Sequence, residues 1–363
     1  MAIALVTNVL APYRVPLYAL LAERYGVEVL CFGAGAGYVP EWFADLDGQL
    51  EAAPFPARRI AGPREALALG KRYDAAIASV AGGAVLPATY FGMRRHGRPF
   101  VLWGSVWAHP RGSAKAALAF PLVRHVYRHA DAVVTYGEHV RRYVARYRGH
   151  DDDIVIAPQS VEAELFGRPV TTEEVASWRA NAELPDGPLV LYVGRLVEEK
   201  GIEDLLAAWR QIDGATFAVI GDGPLATEVQ ATPNTRLLGP LPRNRLPVAY
   251  AAADVLVLPS IPTPHFREPW GLVCNEALHQ GTPVIGTTAV GAVAGGLIRD
   301  EETGLVVPPG DPRALAHAIR RLIEDPDLRA RLGTAGHDAL AGHTYTAMAD
   351  AFGVALARAG ALR

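Results

Sequence analysis

The sequence predicts an α/β protein of two doubly wound, Rossmann-like domains that face each other across a cleft. The chain has 363 residues, which suits two domains of roughly 150 to 200 residues each. Apolar strand-like runs alternate with helix-period stretches from end to end, and strands separated by helices form parallel sheets of right-handed βαβ units. Twelve predicted strands are too many for one ordinary sheet, so we expect two sheets.

The predicted strands divide equally between the two halves of the chain. Near residues 164–188 proline and acidic residues interrupt the pattern, and Thr171 and Glu174 have the spacing of a capping box that starts a helix. We therefore expect a first domain over 1–165, with helix 346–363 packing back on it, and a second over 166–345. The predicted strands are 3–8, 27–33, 74–79, 99–104, 131–137 and 153–158, then 188–194, 216–222, 235–240, 254–260, 283–288 and 304–309.

Composition describes an ordinary globular protein. Half of the residues are hydrophobic and the net charge is −3, which argues against nucleic acid as the principal partner. The two cysteines, Cys31 and Cys274, lie in different predicted domains and form neither a disulfide framework nor a metal site. The N-terminus has no charged region ahead of a long apolar run, and no run of about 18 apolar residues occurs. A cytoplasmic location is expected.

Several first-half motifs are interpreted as loops. The glycines at 33–37 lack the third glycine of a dinucleotide fingerprint, since position 38 is Tyr38. The acidic stretches 45–47 and 151–153 are interpreted as solvated loops and not as metal ligands. Residues 124–150 are rich in Arg, His and Tyr, which predicts either a solvated helix face or contact with an anionic membrane surface.

Polar residues follow two predicted first-half strands. His109 lies on the loop after the strand 99–104, where a histidine is functional or structural. Asn8, Tyr13 and Arg14 belong to the turn between the first strand and the first helix. Because parallel strands end at the same edge of a sheet, we expect all four residues near that edge, where open α/β sheets bind ligands.

Two cations follow the first strand of the second half. Gly194 permits a turn, and Arg195 and Lys200 then lie between the strand and the helix that begins near residue 202. Cations beside a helix N-terminus form a pocket for a diphosphate. The alternative is surface pairing with the neighbouring acids Glu198 and Glu199. The turn 221–223, Gly-Asp-Gly, is expected at the same edge.

Two glutamates flank a Trp-Gly turn in the stretch EPWGLVCNE. Glu268 should lie on a loop at the carboxyl end of the strand 254–260, and Glu276 one turn or more into the next helix, which Gly281 ends. Ligands bind at this end of parallel strands. The alternative is two solvated acids at a helix entrance, where negative charge is favourable.

Five segments in order resemble glycosyltransferase family 4, the retaining nucleotide-sugar enzymes of GT-B fold. They are VGRLVEEKGIEDLL, GDGP, YAAADVLVLPS, EPWGLVCNEALHQGTPVIGT and GLVVPPGD. The resemblance implies that Glu276 holds the ribose hydroxyls, that Glu268 lies near the donor sugar, and that Arg195 and Lys200 stabilise the leaving group. It also implies phosphate contacts from the backbone of Gly271, Leu272 and Val273, a donor-sugar role for His109, donor contacts at Gly194, Gly221, Asp222 and Leu238, and an acceptor side at Asn8, Tyr13 and Arg14.

Three segments depart from the family pattern. The chain has QSVE at 159–162 where the family usually has Asn-Gly-Val-Asp, and the loop 261–267 before Glu268 is longer than in many members. The segment AVGAVAGGLI lacks a glutamate that is often present. These departures leave the sugar and the acceptor open.

The resemblance implies transfer of a hexose-type sugar from a nucleotide sugar, UDP-linked before GDP-linked, to an acceptor hydroxyl. The nucleotide sugar is a substrate, and neither metal nor cofactor is expected because Arg195 and Lys200 supply the positive charge. The rival functions are an epimerase or hydrolase on the same fold and a catalytically decayed sugar-nucleotide-binding protein. A NAD-dependent oxidoreductase is disfavoured by the missing glycine fingerprint.

Overall fold

The chain forms two compact units. The computed structural model describes residues 1–33, 45–80, 83–108 and 114–362, with 114–117 as backbone only. Unit 1 comprises Met1–Gln159 and Tyr345–Arg363, and unit 2 comprises Ser160–Thr344. The chain therefore leaves unit 1 six residues before the expected boundary at 165/166.

The described residues of unit 1 form a parallel sheet of seven strands. Spatially the strands run β3-β2-β1-β4-β5-β6-β7, and β1 pairs with both β2 and β4, for example at Ile3 with Val27 and Ala75. The chain thus winds in both directions from a central strand, as a doubly wound sheet does. The strands are β1 Ile3–Thr7, β2 Val27–Cys31, β3 Ala57–Arg59, β4 Ala75–Ser79, β5 Phe100–Gly104, β6 Ala132–Thr135 and β7 Ile154–Ile156.

Unit 2 repeats this winding with six parallel strands in the order β10-β9-β8-β11-β12-β13. Its central strand β8 is buried along its whole length, because helices cover both faces of such a sheet. The strands are β8 Leu189–Val193, β9 Thr216–Ile220, β10 Thr235–Leu237, β11 Val255–Leu258, β12 Val284–Thr287 and β13 Leu305–Val307.

The helices connect successive strands. They are α1 Val15–Tyr25, α2 Leu46–Glu51, α3 Pro63–Leu67, α4 Val85–Arg95, α5 Ala114–His129, α6 Glu138–Arg148, α7 Ala163–Phe166, α8 Thr172–Asn181, α9 Ile202–Trp209, α10 Ala226–Gln230, α11 Leu246–Ala252, α12 Leu272–His279, α13 Gly291–Ala294, α14 Pro312–Glu324, α15 Pro326–Asp338 and α16 Tyr345–Arg358, with single 3₁₀ turns at Pro12–Arg14, Leu69–Lys71, Glu198–Lys200, Arg243–Arg245 and Ala339–Gly342. Among the described residues, none of these helices is long and apolar enough to cross a membrane.

The predicted strands all form, and one strand was not predicted. The missed strand β3 lies at the sheet edge, has three residues and includes Arg58 and Arg59. Its arginines pair with acids, Arg58 with Glu65 at 2.6 Å and Arg59 with Asp47 at 2.8 Å. A strand at the edge of a sheet has a neighbouring strand on one side only, and its residues are less buried. It therefore needs no apolar run that a search for periodicity would detect.

The capping box at the start of α8 is confirmed. The Glu174 amide donates to Thr171 Oγ1 at 3.1 Å, and the Thr171 amide donates to Glu174 Oε2 at 2.9 Å. Two amides that have no partner within the helix are thereby satisfied. The helix therefore begins where the sequence predicts.

Helix α16 returns the chain to unit 1 and completes its core. Phe352 is fully buried and its ring packs edge-on against Trp103 at 5.1 Å between centroids. The Tyr345 hydroxyl donates to the Tyr13 carbonyl at 2.6 Å. Unit 1 is thus assembled from the two ends of the chain.

We predict that Phe352→Ala lowers the free energy of unfolding by about 3–5 kcal/mol, because it removes a buried ring and leaves a cavity. Urea unfolding followed by circular dichroism measures the change. Val354→Ala on the same helix is the matched control, since Val354 is 45% exposed. Equal losses in the two variants would show that the packing of α16 does not stabilise unit 1.

Candidate functional site

The loops after β8, β9 and β10 continue side by side beyond the carboxyl edge of the unit 2 sheet. The amide of Gly194 donates to the Ile220 carbonyl at 3.0 Å, and the amide of Gly221 donates to the Gly239 carbonyl at 3.0 Å. The Leu196 amide reaches the Asp222 carbonyl at 2.8 Å. These bonds fix the three turns as one surface at the edge where a ligand is expected.

Two glycines permit this close approach. Gly221 has φ +149°, and a Cβ there would overlap the carbonyl oxygen of Gly194. Gly201 has φ +70°, and its Cβ would overlap the carbonyl oxygen of Pro259. Only glycine fits both the dihedral angle and the available space. Gly201 therefore holds the loop after β8 against the loop after β11.

The two predicted cations have different partners. Arg195 is partly exposed and its Nη2 lies 3.1 Å from Glu199 Oε1. Lys200 is largely buried, its Nζ pairs with Glu268 Oε2, and it lies 5.7 Å from the centroid of the Phe266 ring. Arg195 therefore pairs with a neighbouring acid, whereas Lys200 pairs with Glu268 on the loop after β11.

Glu268 is buried at the base of its loop. Its Oε2 accepts a hydrogen bond from Ser260 Oγ at 3.1 Å as well as the contact from Lys200. Thr287 donates to the Ser260 carbonyl, and the Glu268 backbone forms a bridge with Val290. The carboxylate therefore has a defined position between three loops and is not a solvated acid.

Helix α12 begins directly after this loop. Gly271 is its N-cap residue with φ +91°, and a Cβ there would lie 2.5 Å from Leu258 Cδ2. Leu272 and Val273 form the first turn of the helix. The first amides of a helix have no partner within it and carry the positive end of its dipole. This turn can bind an anion.

Glu276 lies inside the fold, in the second turn of α12. The buried hydroxyl of Tyr250 donates to Glu276 Oε2 at 2.6 Å. Burial raises the pKa of the Glu276 carboxyl, while Tyr250 and the charge of Arg243 offset part of that increase. The tyrosine therefore keeps a buried carboxyl closer to its ionised state, in which both of its oxygens accept hydrogen bonds.

The remaining predicted donor residues lie at the same edge. Asp222 is exposed, and its Oδ1 accepts from the amide of Gly223 at 2.7 Å. Leu238 is half-buried, and its amide donates to the Val219 carbonyl at 2.9 Å. Asp222 therefore borders the loop of Arg195, whereas Leu238 lies beside the end of β9.

Arg14, one of the acceptor-side candidates, is buried in unit 1. Its guanidinium is 5% exposed and donates to Tyr136 Oη at 3.0 Å and to Gln159 Oε1 at 2.5 Å. It also lies 5.0 Å from the Trp103 ring centroid. The guanidinium therefore makes its contacts inside unit 1, and the acceptor-side role of Arg14 stays a prediction.

Asn8 and Tyr13 are half-buried beside the first turn. The Asn8 carbonyl accepts from the Gly33 amide at 2.9 Å, and burial raises the pKa of Tyr13. His109 and most of the glycine stretch 33–37 lie outside the described residues. Among the described candidates, Asn8 and Tyr13 therefore lie half-buried at this edge of unit 1, beside the buried Arg14.

The acidic stretches of unit 1 have local partners. Asp45 caps α2 by accepting from the Gly48 amide, and Asp151 pairs with Arg141 at 2.6 Å. Asp153 pairs with the buried Arg148. Across the described ranges, no group of three or more His, Cys, Asp or Glu side chains could hold a metal ion.

Three residues of this site were not found from the sequence. Tyr250 lies on α11, a helix away from the glutamate that it contacts, and no spacing rule links the two positions. Ser260 ends a segment that was interpreted only as a strand, and Phe266 lies in the loop 261–267, to which no role was assigned. The local signal for Tyr250 is weak, since the sequence shows a tyrosine four residues before Asp254 and does not show that it is buried.

Comparison with known proteins relates the chain to sugar-transferring proteins. Residues 175–339 match the family described as Glycosyl transferases group 1. The chain is 36% identical over 191 residues to the lipopolysaccharide core biosynthesis glycosyltransferase LpsE of Rhizobium meliloti, covering 50% of this chain and 54% of that protein. It is 28% identical over 366 residues to a GDP-mannose-dependent alpha-(1-6)-phosphatidylinositol monomannoside mannosyltransferase of Mycobacterium tuberculosis, covering 93% and 92%. The chain thus spans about half the length of the first relative.

The fold also matches a solved structure. HepE of Anabaena, in complex with UDP-glucose, superimposes with a TM-score of 0.79 at 19% identity, covering 98% of this chain and 99% of that one. Likeness at this level of identity concerns the fold alone. The predicted fold class, α/β with two doubly wound parallel sheets as in GT-B proteins, is confirmed.

We predict that Glu276→Gln stabilises the protein more at about pH 7.5 than at about pH 4.5. A carboxyl whose pKa is raised by folding costs stability when ionised above its folded-state pKa. The cost vanishes below the unfolded-state pKa, where the group is protonated in both states. Urea unfolding at the two pH values measures the difference. Glu203→Gln, at an exposed position of α9, should show no such pH dependence; a parallel response in both variants would contradict the buried-charge interpretation.

Proposed function

We propose that the chain is a retaining glycosyltransferase of family 4, because residues 175–339 match the family described as Glycosyl transferases group 1. It would move a hexose-type sugar from a nucleotide sugar to an acceptor hydroxyl. The observation that carries the proposal is the convergence of Arg195, the Lys200–Glu268 pair and the N-terminus of α12 at one edge of the unit 2 sheet. Unit 2 is then the donor-binding unit and unit 1 the acceptor side.

The proposed reaction breaks the bond between the anomeric carbon and the diphosphate oxygen, which keeps the electron pair. The acceptor oxygen attacks from the same face, and its proton passes to the departing diphosphate. Charge that grows on the diphosphate is stabilised by fixed donors that need no reorganisation. Arg195, Lys200 and the amides of Leu272 and Val273 are those donors, so the reaction is proposed to need no metal ion.

Lys200 can serve the diphosphate while it remains paired with Glu268. An ammonium group has three N–H donors, and the contact with Glu268 uses one of them. The carboxylate fixes the position of the ammonium and offsets the cost of burying it. On this proposal Glu268 orients sugar hydroxyls beside the same cation, and it is not the nucleophile because it lies on the side of the leaving group.

Glu276 would hold the ribose through its carboxylate. Ribose hydroxyls need acceptors, and an ionised carboxylate accepts at both oxygens. The hydroxyl of Tyr250 occupies one lone pair of Oε2 and favours the ionised form. Tyr250 is therefore proposed as a positioning residue that acts through Glu276.

A UDP-sugar is the favoured donor and a GDP-sugar the next. HepE forms a complex with UDP-glucose, while the Mycobacterium relative is GDP-mannose-dependent by name. The acceptor hydroxyl belongs to a glycan, a glycolipid or a glycosylated metabolite, with Asn8, Tyr13 and His109 on the acceptor or sugar side. We place the reaction in the cytoplasm, with peripheral contact to a membrane.

We predict that Arg195→Ala and Lys200→Ala each lower turnover by on the order of 10²- to 10³-fold, the typical effect of removing one charge-stabilising donor. Release of UDP from UDP-glucose, or of GDP from GDP-mannose, measures turnover in the presence of EDTA. Arg210→Ala, at an exposed position after α9, should leave turnover unchanged. Near wild-type rates in both variants, or loss of wild-type activity in EDTA with rescue by magnesium, would contradict the diphosphate assignment.

We predict that Glu268→Gln keeps the affinity for free nucleoside diphosphate but lowers transfer by on the order of 10²-fold, because the sugar is no longer fixed in a reactive position. Calorimetry with UDP and GDP separates binding from turnover. Discrimination between donor sugars should fall with transfer. A glycosyl ester trapped at Glu268 in the wild-type protein, detected by mass spectrometry with donor alone, would make this residue the nucleophile and refute the positioning role.

A further inference from the structure

Charge is distributed very unevenly along the chain. Between Asp74 and Asp131 no acidic residue occurs, while the same stretch holds seven Lys and Arg residues. The rest of the chain has 28 Lys and Arg against 38 Asp and Glu. This stretch includes helices α4 and α5 of unit 1, so the near-neutral net charge conceals a cationic region.

The same region exposes large apolar side chains. Leu118 on α5 is 84% exposed, Leu122 is 39% exposed, and Phe91 on α4 is 43% exposed. Leu118 and Leu122 are four residues apart, so they lie on one face of the helix. Tyr127 on the opposite face is buried, and so is Val126 at the border between the two faces. Helix α5 therefore packs on unit 1 with one side and presents leucines outward on the other.

Ring stacking joins the two helices into one surface. His125 lies on the same face as Leu118 and Leu122, and its ring stacks on Phe91 at 5.9 Å and on His129 at 4.2 Å between centroids. Phe91 is thereby held next to the outward face of α5. We call this surface the α4–α5 face; its residues are Phe91, Arg95, Leu118, Leu122, Arg124 and Arg128.

The arginines of this face are not neutralised within the part of the chain that the structure describes. Arg95, Arg124 and Arg128 are exposed there and form no ion pair. Neighbouring arginines do pair, Arg94 with Asp131 at 2.7 Å and Arg98 with Asp74 at 3.1 Å. The unpaired cations coincide with the exposed apolar side chains.

We propose that the α4–α5 face binds the surface of an anionic lipid bilayer. A helix with leucines on its outward face, flanked by arginines and without acids, inserts its apolar side chains at the headgroup boundary while the cations meet anionic lipids. A nucleic acid would bind the arginines and would leave Leu118 and Leu122 exposed to water. An acidic protein would need an apolar surface of its own that matches these two leucines. The inference rests on the membrane contact proposed above, for which it names the surface and the lipid class, and it does not depend on the sugar-transfer reaction.

The first test is co-sedimentation of the full chain with vesicles. We expect binding to phosphatidylcholine vesicles that contain about one third phosphatidylglycerol, with only weak binding to pure phosphatidylcholine, because each arginine near an anionic surface strengthens binding severalfold. Added salt should weaken the binding, since screening shortens the range of the attraction. Failure to bind the anionic vesicles would overturn the proposal, as would equal binding to both.

The second test assigns the surface. Arg124→Gln with Arg128→Gln should weaken binding to the anionic vesicles by roughly tenfold or more. Leu118→Ser with Leu122→Ser should have an effect of similar size through lost insertion. The matched charge control is Arg142→Gln with Arg146→Gln, exposed on α6, and the apolar control is Val354→Ser on α16. Both controls should bind as the wild-type protein does.

The same variants distinguish a lipid bilayer from other anionic partners. If the control variants lose binding as strongly as the Arg124/Arg128 and Leu118/Leu122 variants, the contact is diffuse and the α4–α5 face is not its site. If duplex DNA or a polyglutamate peptide competes fully with vesicles and the Leu118/Leu122 variant binds normally, the face is a general anion-binding surface. Either result refutes lipid docking. Circular dichroism confirms that each variant is folded before it is compared.

Discussion

The buried pair of Lys200 and Glu268 is the interaction on which the site in unit 2 depends. It joins the loop after β8 to the loop after β11 across 68 residues of sequence. An unpaired buried charge is costly, and removal of either partner from a buried pair leaves one. Backbone contacts support the pair, since the Ile261 amide donates to the Glu199 carbonyl at 3.1 Å and Gly201 lies against Pro259. The start of α12, a few residues beyond Glu268, takes its position from this arrangement.

The two glutamates of the stretch EPWGLVCNE are both buried, but their charges are stabilised differently. Glu268 has a cation and a hydroxyl as partners, whereas Glu276 has the hydroxyl of Tyr250, a neutral donor. Burial accordingly raises the pKa of Glu276. A carboxyl kept at a cost in folding free energy is typical of a binding site and unusual in a core.

The local sequence pattern predicted most of the fold and the backbone positions of the site. The strands of a doubly wound sheet are buried on both faces, so their apolar runs are visible in the sequence, and glycines such as Gly271 mark turns that only glycine can form. Contacts between residues that are far apart in the chain were not visible in the sequence. Tyr250 meets Glu276 only because α11 packs against α12, and the edge strand β3 lacks an apolar run. The contacts of Arg14 were not visible for the same reason, since its neighbours Tyr136, Gln159 and Met348 lie far from it in the sequence.

Arg14 also accounts for one departure of the sequence from the family 4 pattern that it resembles. The family usually has asparagine where this chain has Gln159 in the segment QSVE, and Gln159 is the last residue before the chain leaves unit 1. Its Oε1 accepts from Arg14, and its Nε2 donates to the Ala157 carbonyl at 3.2 Å. The extra methylene of glutamine extends the amide towards the guanidinium. Arg14 also lies 4.0 Å from Met348 Sδ, just after the chain re-enters unit 1 at Tyr345. The buried guanidinium therefore contacts residues next to both points where the chain crosses between the units. Arg14, a candidate for the acceptor side, thus also stabilises the fold of unit 1.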